Sequence, residues 1–161
     1  MTQTSKNDTF LKQYQIEFFP HDSFETFEIY NSEFSSDSHK AFSTKYDKPI
    51  FLNKITFSQK YSIENFANDL KQYQKVEQHE NILKFIAVLK QSISEVIFAH
   101  EFACDGTLRQ YLKQNFNKIN WIDKLCLAKQ LVSAINYCHE NDIIHTNLNS
   151  ETIFVHKGDI K

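Results

Sequence analysis

Short apolar runs separated by polar residues occupy residues 23–57 and predict three strands: Thr26–Ile29, a stretch around Lys40–Thr44, and Ile50–Thr56. β-Branched and aromatic side chains dominate these runs, as is typical of strands. Farther on, Ile63, Phe66, Ala67, Leu70 and Tyr73 recur at three- and four-residue steps. This spacing places them on one face of a helix, for which Ser62 is the predicted N-cap.

The next two apolar runs, Ile82–Leu89 and Glu95–Ala99, have no polar face and predict strands buried on both sides. Thr107–Gln114 predicts a short helix. Residues 121–141 predict a long one, with Asn120 and Asp123 at the spacing of a capping box. A hairpin from Thr152 onwards closes the chain. Strands and helices in this order predict an α+β fold rather than alternating βαβ units.

Composition narrows the classes of function. The 161 residues carry a net charge of -2, which argues against a binder of nucleic acid or of an anionic membrane surface. We expect residues 1–22 to form a tail. No apolar run is long enough to span a membrane and no secretory signal precedes the first strand, so we expect a cytoplasmic protein. The three cysteines suit buried thiols better than disulfides or a metal site.

One segment carries a resemblance. Residues 143–155, IIHTNLNSETIFV, resemble the catalytic loop H-R-D-L-x-x-x-N-I-L-V of eukaryotic protein kinases. Matches upstream follow the family's order: Lys54 at its V-A-I-K strand, Asp69 where it carries a Glu that pairs with that Lys, His79–Ile82 at its H-x-N-I turn, and Glu101–Ala103 at its hinge. The resemblance implies a partial kinase domain over residues 23–161. The small lobe, an antiparallel sheet plus one helix, would cover residues 23–100. The hinge would cover 101–106, and the first helices of the helical lobe would cover 107–161. We expect the domain to be truncated before the magnesium-binding D-F-G.

The resemblance also assigns the residues of a degenerate catalytic site. Asn147 stands where the family has the Asp that accepts the substrate proton, and Thr152 where it has an Asn that holds magnesium. A neutral amide cannot serve as a general base, whose loss typically costs about 10²–10⁴ in rate. The segment Tyr30–Ser35, aligned with the family's glycine-rich loop, has no glycine to let backbone N–H groups close over phosphates.

The nucleotide site implied by the resemblance comprises Lys54, Asp69, Glu101 and Ala103, with Lys54 the best candidate for contact with phosphate and Asp69 its expected ion-pair partner. Its walls are altered. At positions that line the adenine slot, this chain has bulky or charged side chains: Asp37, Leu52, His100 and Phe154. A flat base needs an open slot, so we expect neither ATP nor magnesium to bind.

Three hypotheses remain open. The leading one is an inactive, pseudokinase-like module that binds another protein, either a kinase or a second copy, through the helix at 121–141. We expect that helix to expose part of an apolar face that includes Leu125, Ala128, Val132 and Ile135. The alternative is a fragment of an active ATP-dependent protein kinase, with ATP and magnesium as cofactors. The third is a decayed gene product without a role.

Overall fold

The computed structural model describes residues 18–20, 30–31, 38–43, 47–90, 92 and 94–161. The chain divides into two compact units. The first contains the chain up to Lys71 together with Phe85–Phe102, and the second contains Gln72–Lys84 together with Ala103–Lys161. Three parts of the sequence analysis lie outside the described residues: the predicted strand Thr26–Ile29, Asp37, and most of the segment aligned with the glycine-rich loop.

The first unit is built on a six-stranded sheet. Its strands are β1 (Phe18–Pro20), β2 (Tyr30–Asn31), β3 (Ser38–Ser43), β4 (Lys48–Thr56), β5 (Phe85–Lys90) and β6 (Glu95–Glu101), in the spatial order β1-β5-β6-β4-β3-β2. Every neighbouring pair is antiparallel except β1 and β5. The parallel strand corrects the expectation of a tail up to residue 22. Pro20, which has no N–H to donate, is tolerated there because β1 is an edge strand.

Helix α1 (Ile63–Val76) covers one face of this sheet. Ser62 caps it as predicted, since its Oγ accepts a hydrogen bond from the Asn65 N–H at 3.2 Å. The core between helix and sheet joins the buried residues Phe66, Ala67, Leu70, Val88, Val96 and Phe98. A second buried cluster, Ala41, Ile50, Leu52, Ala87, Leu89, Ile97 and Ala99, contains the alternate residues of the same strands. Both faces of β5 and β6 are therefore buried, as their continuous apolar runs predict.

The second unit contains α2 (Leu108–Gln114), α3 (Trp121–Glu140) and a hairpin of β7 (Val155–His156) and β8 (Asp159–Ile160). Capping boxes begin both helices, at Thr107 and at Asn120. Lys157 and Gly158 form the hairpin turn with positive φ angles of 54° and 85°. A buried cluster of Leu127, Ile153, Val155 and Ile160 joins α3 to the hairpin. These elements confirm the α+β fold expected from the sequence.

Asn81, in the turn that resembles H-x-N-I, ties that turn to the hairpin. Its side-chain amide is buried and donates to the Ile160 carbonyl at 3.0 Å. The imidazole of His79 accepts the Asn81 N–H and lies 3.1 Å from the Ser133 hydroxyl on α3. Polar contacts thus anchor the segment before β5 to α3 and to the hairpin.

Of the expectations about side-chain burial, the one for the cysteines is wrong in part and the one for α3 is confirmed for Leu125 and Val132. Cys104 and Cys126 are exposed rather than buried, and only Cys138 is partly covered. The buried residues of α3 are Leu127 and Ala134, and Leu127 packs against the hairpin. Leu125 and Val132 lie on the exposed side, as anticipated for part of the apolar face. No helix in the described part of the chain is long and apolar enough to cross a membrane.

Candidate functional site

Asn147 and Thr152 lie in the loop between α3 and β7, and the structure brings them into contact. The Thr152 hydroxyl donates to the Asn147 carbonyl at 2.7 Å. The Asn147 N–H donates to the imidazole Nδ1 of His145 at 3.3 Å. Hydrogen bonds of this kind hold the loop in one conformation, and they also occupy the hydroxyl that stands at the family's metal-binding position.

Asn149 organises this loop, and sequence reasoning had not singled it out. Its side-chain amide donates to the Asn147 carbonyl at 3.2 Å and to the Asn147 Oδ1 at 3.1 Å. Its own Oδ1 accepts the Glu151 N–H at 2.8 Å, and its backbone N–H donates to the Thr152 hydroxyl at 3.1 Å. Short polar side chains that bond to nearby backbone groups are typical of turns, so the run Asn147–Thr152 itself held a signal for this network.

The ionisable groups of the loop do not replace the missing base. Glu151 forms an ion pair with Arg109 at 3.3 Å, in which both side chains are 65% exposed. Such an exposed pair contributes little stability and positions no carboxylate at residue 147. His145 is exposed, and its Nδ1 accepts the Asn147 N–H and so helps to hold the loop. At residues 147 and 152 the loop thus offers an amide and a hydroxyl, neither of which is a general base near neutral pH.

Lys54 and Asp69, expected to pair with each other, have different partners in the structure. The Lys54 ammonium lies 2.7 Å from a carboxylate oxygen of Glu95. The Asp69 carboxylate accepts a hydrogen bond from the Tyr61 hydroxyl at 2.6 Å. Burial, together with this hydrogen bond and the charge of Asp69, raises the pKa of Tyr61 well above its usual range. The hydroxyl therefore remains a donor to Asp69 across the physiological pH range.

The alternation of side chains along β4 explains this difference. Ile55 packs into the cluster under α1, whereas Leu52 belongs to the cluster on the other face of the sheet. Lys54 shares the face of Leu52, because residues two apart on a strand point the same way. Asp69 is on the helix that covers the opposite face, and this separation could not be read from the spacing of the two residues.

The hinge positions are occupied by the protein's own contacts. Glu101 ends β6 and lies opposite Ile50, while the Lys40 ammonium sits 4.4 Å from the ring centroid of Phe102. In the second unit, Ala103 is buried and its carbonyl accepts the Gly106 N–H at 3.4 Å. Glu101 therefore lies in a strand and Ala103 begins a hydrogen-bonded turn, and neither contact identifies a ligand.

Leu52 and His100, two of the residues expected to line the adenine slot, pack against other side chains of the protein. Leu52 is 2% exposed within its sheet-face cluster. The His100 ring lies 4.4 Å from that of Phe98 in an edge-to-face arrangement, and burial lowers the pKa of His100 to about 4. The imidazole is therefore neutral at physiological pH. Among the described residues, no three His, Cys, Asp or Glu side chains group together as ligands for a metal ion.

Comparisons with known proteins agree with the fold and with the motifs. Residues 35–161 match the family model described as protein tyrosine and serine/threonine kinase. The chain is 33% identical over 84 residues to NUAK family SNF1-like kinase 2 of Rattus norvegicus, a match that covers 52% of this chain and 13% of that protein. It is 30% identical over 81 residues to a probable serine/threonine-protein kinase of Dictyostelium discoideum, covering 50% of this chain and 9% of the relative. Because the family model matches most of its length, the chain belongs to the protein tyrosine and serine/threonine kinase family.

Proposed function

We propose that this chain is a catalytically inactive member of the kinase family that acts as a protein-interaction or regulatory module in the cytoplasm. The observation that carries the proposal is the loop at Asn147–Thr152. Asn147, at the position of the family's general base, has an amide that is hydrogen-bonded to Asn149. Thr152, at the position of the family's metal ligand, has a hydroxyl that is hydrogen-bonded to the Asn147 carbonyl. Without a general base, the substrate hydroxyl has no group to take its proton as phosphate is transferred.

The contacts of the nucleotide-site residues support the same proposal. Lys54, the candidate phosphate ligand, is neutralised by Glu95, and Asp69 is engaged by Tyr61. Leu52 is buried at a position where the family's small residue leaves room for the base. We therefore propose that neither ATP nor magnesium is a cofactor of this chain.

The exposed side of α3 is the proposed interaction surface. Trp121 is 78% exposed and Val132 65%, and Ile122 and Leu125 are also exposed on this helix. Trp121, Leu125 and Val132 lie along one side, because they are separated by four and seven residues. Contiguous apolar side chains on a surface are typical of protein–protein contacts. We propose a protein partner for this surface, either a kinase or a second copy of the chain.

The catalytic part of the proposal is tested with radioactive ATP. The purified chain is expected to label neither itself nor generic protein substrates above a buffer control. Asn147→Asp alone is expected to restore nothing, because Thr152 still stands at the metal-binding position. Labelling that disappears in Asn147→Ala would contradict the proposal and favour the alternative, a portion of an active ATP-dependent kinase.

The interaction surface is tested by size-exclusion chromatography with light scattering. Val132→Asp places a charge in the exposed apolar stripe and is expected to convert an associated species to monomer. Cys126→Asp adds the same charge at an exposed position off that stripe and is the matched control. A wild-type chain that is monomeric, binds no apolar dye and behaves like Val132→Asp would remove the physical support for the interaction surface.

A further inference from the structure

Glu95 and Lys54 form an ion pair across two strands of the sheet. Lys54 lies opposite Ile97, and Glu95 lies opposite Thr56, so the two charged residues are diagonal neighbours on one face. Long side chains can meet at such diagonal positions. Their charged atoms are 2.7 Å apart, and the side chains are only 33% and 26% exposed.

Hydrogen bonds that do not involve the ion pair hold the backbone around Glu95. The Glu95 carbonyl accepts the Ser92 N–H at 3.1 Å, and the Ser94 carbonyl accepts the N–H of Phe57, just past the end of β4, at 2.7 Å. The Glu95 carboxylate therefore reaches Lys54 from a backbone position that is itself hydrogen-bonded. Little backbone freedom is lost on pairing, which distinguishes this contact from an ion pair between two mobile surface side chains.

The competing acidic group is out of reach for two reasons. Asp69 accepts the Tyr61 hydroxyl at 2.6 Å. It also belongs to the helix that covers the opposite face of the sheet from Lys54. Among the described residues, Glu95 is the carboxylate that pairs with Lys54. Neither the kinase motifs nor the family match assigns a role to Glu95.

We propose that Glu95 is a positioning residue that holds the Lys54 ammonium within the sheet and withholds it from the phosphate groups of a nucleotide. An ammonium paired with a carboxylate at this distance already has its counter-charge. A phosphate could recruit Lys54 only by displacing Glu95, which would leave that carboxylate partly buried and unpaired. This proposal rests on the proposed function in one respect: the absence of nucleotide binding identifies a nucleotide phosphate as the ligand from which Lys54 is withheld.

The test measures how fast the Lys54 amine is acetylated by limiting acetic anhydride, with peptides quantified by mass spectrometry. The exposed Lys60 is the internal reference. In the folded wild-type chain the Lys54:Lys60 labelling ratio is expected to be low. Glu95→Gln is expected to raise it about fivefold, equivalent to about 1 kcal/mol of pairing free energy at 1.4 kcal/mol per factor of ten. Glu95→Asp, which keeps the charge, is expected to restore part of the protection.

Glu64→Gln, at an exposed glutamate in the first turn of α1, is the matched control and is expected to leave the ratio unchanged. Should Glu95→Gln not fold, a salt series on the wild-type chain provides the same information, because screening weakens the pair and raises the ratio. Equal ratios for a folded Glu95→Gln and wild type overturn the proposal. So does protection of wild-type Lys54 by millimolar ATP. The labelling ratio depends on neither phosphate transfer nor association, so equal ratios would overturn this proposal and leave the proposed function standing, whereas protection by ATP would contradict both.

Discussion

His100 is expected to make the stability of the protein depend on pH. It ends the apolar part of β6 and packs against Phe98, and burial lowers its pKa from 6.5 to about 4. In the unfolded chain the same imidazole titrates near 6.5. Between these two values the unfolded state binds a proton that the folded state does not bind. The free energy of unfolding therefore rises with pH in this window and is lost as the pH falls.

The size of the effect follows from the two pKa values. For titration at about 4 when folded and 6.5 when unfolded, linkage gives a loss of about 2 kcal/mol between pH 8 and pH 5. With a urea dependence of about 2 kcal/mol per molar, typical of a small domain, the unfolding midpoint should fall by about 1 M. His100→Phe removes the titrating group and keeps an aromatic ring beside Phe98.

The assay is urea unfolding followed by far-ultraviolet circular dichroism at half-unit pH steps from 5 to 8. His100→Phe is expected to reduce the pH slope by the amount assigned to His100, whatever its effect on absolute stability. His139→Gln, at an exposed position near the end of α3, is the control that should keep the wild-type slope. Identical slopes for wild type and His100→Phe would refute the reasoning, because they would show that burial does not hold the imidazole neutral.

Three further outcomes are expected. Asn81→Ala should lower the free energy of unfolding by about 1–3 kcal/mol, since it leaves a carbonyl of β8 without its buried donor, whereas the exposed Asn136→Ala should cost far less in the same urea titration. We expect 5 mM ATP with magnesium to raise the melting temperature no more than salt does. If ATP bound with a Kd near 50 μM, the folded state would be stabilised by about 2.7 kcal/mol, and the shift would be easily seen. A shift that Lys54→Ala abolishes would contradict the expectation that ATP does not bind. Cys138, whose thiol pKa is raised by burial, should react more slowly with a thiol reagent than the exposed Cys126, and equal rates would count against that burial.

Local signals in the sequence predicted most of the fold. Asn120 and Asp123 were predicted to form a capping box, and the box is present because both side chains reach backbone N–H groups one turn away. The apolar runs of β5 and β6 were predicted to be buried on both faces, and they are. The parallel pairing of Phe18–Pro20 with β5 was missed, because three residues contain no detectable period and the pairing joins segments about 70 positions apart.

The candidate site was predicted less completely. Motif spacing located Asn147 and Thr152, which lie in one loop and contact each other. It could not predict that Lys54 pairs with Glu95, since that contact depends on the register between β4 and β6 rather than on either motif. Nor could it show that Asp69 lies on a helix covering the other face of the sheet. Motif spacing can place residues in one loop, whereas contacts across strands depend on the register between the strands.

The loop from His145 to Thr152 shows why the proposed loss of kinase chemistry is compatible with the kinase fold. Its conformation depends on short polar side chains that bond to nearby backbone groups, and Asn149 and Thr152 provide such bonds. Phosphate transfer would add two demands that the conformation does not impose, a carboxylate at residue 147 and an amide oxygen at residue 152. The helix and hairpin that flank the loop pack through Leu127, Val155 and their neighbours, none of which is a catalytic position. The residues that catalysis requires are thus separate from those that pack the fold, so an amide at residue 147 and a hydroxyl at residue 152 leave the scaffold of the proposed interaction surface intact.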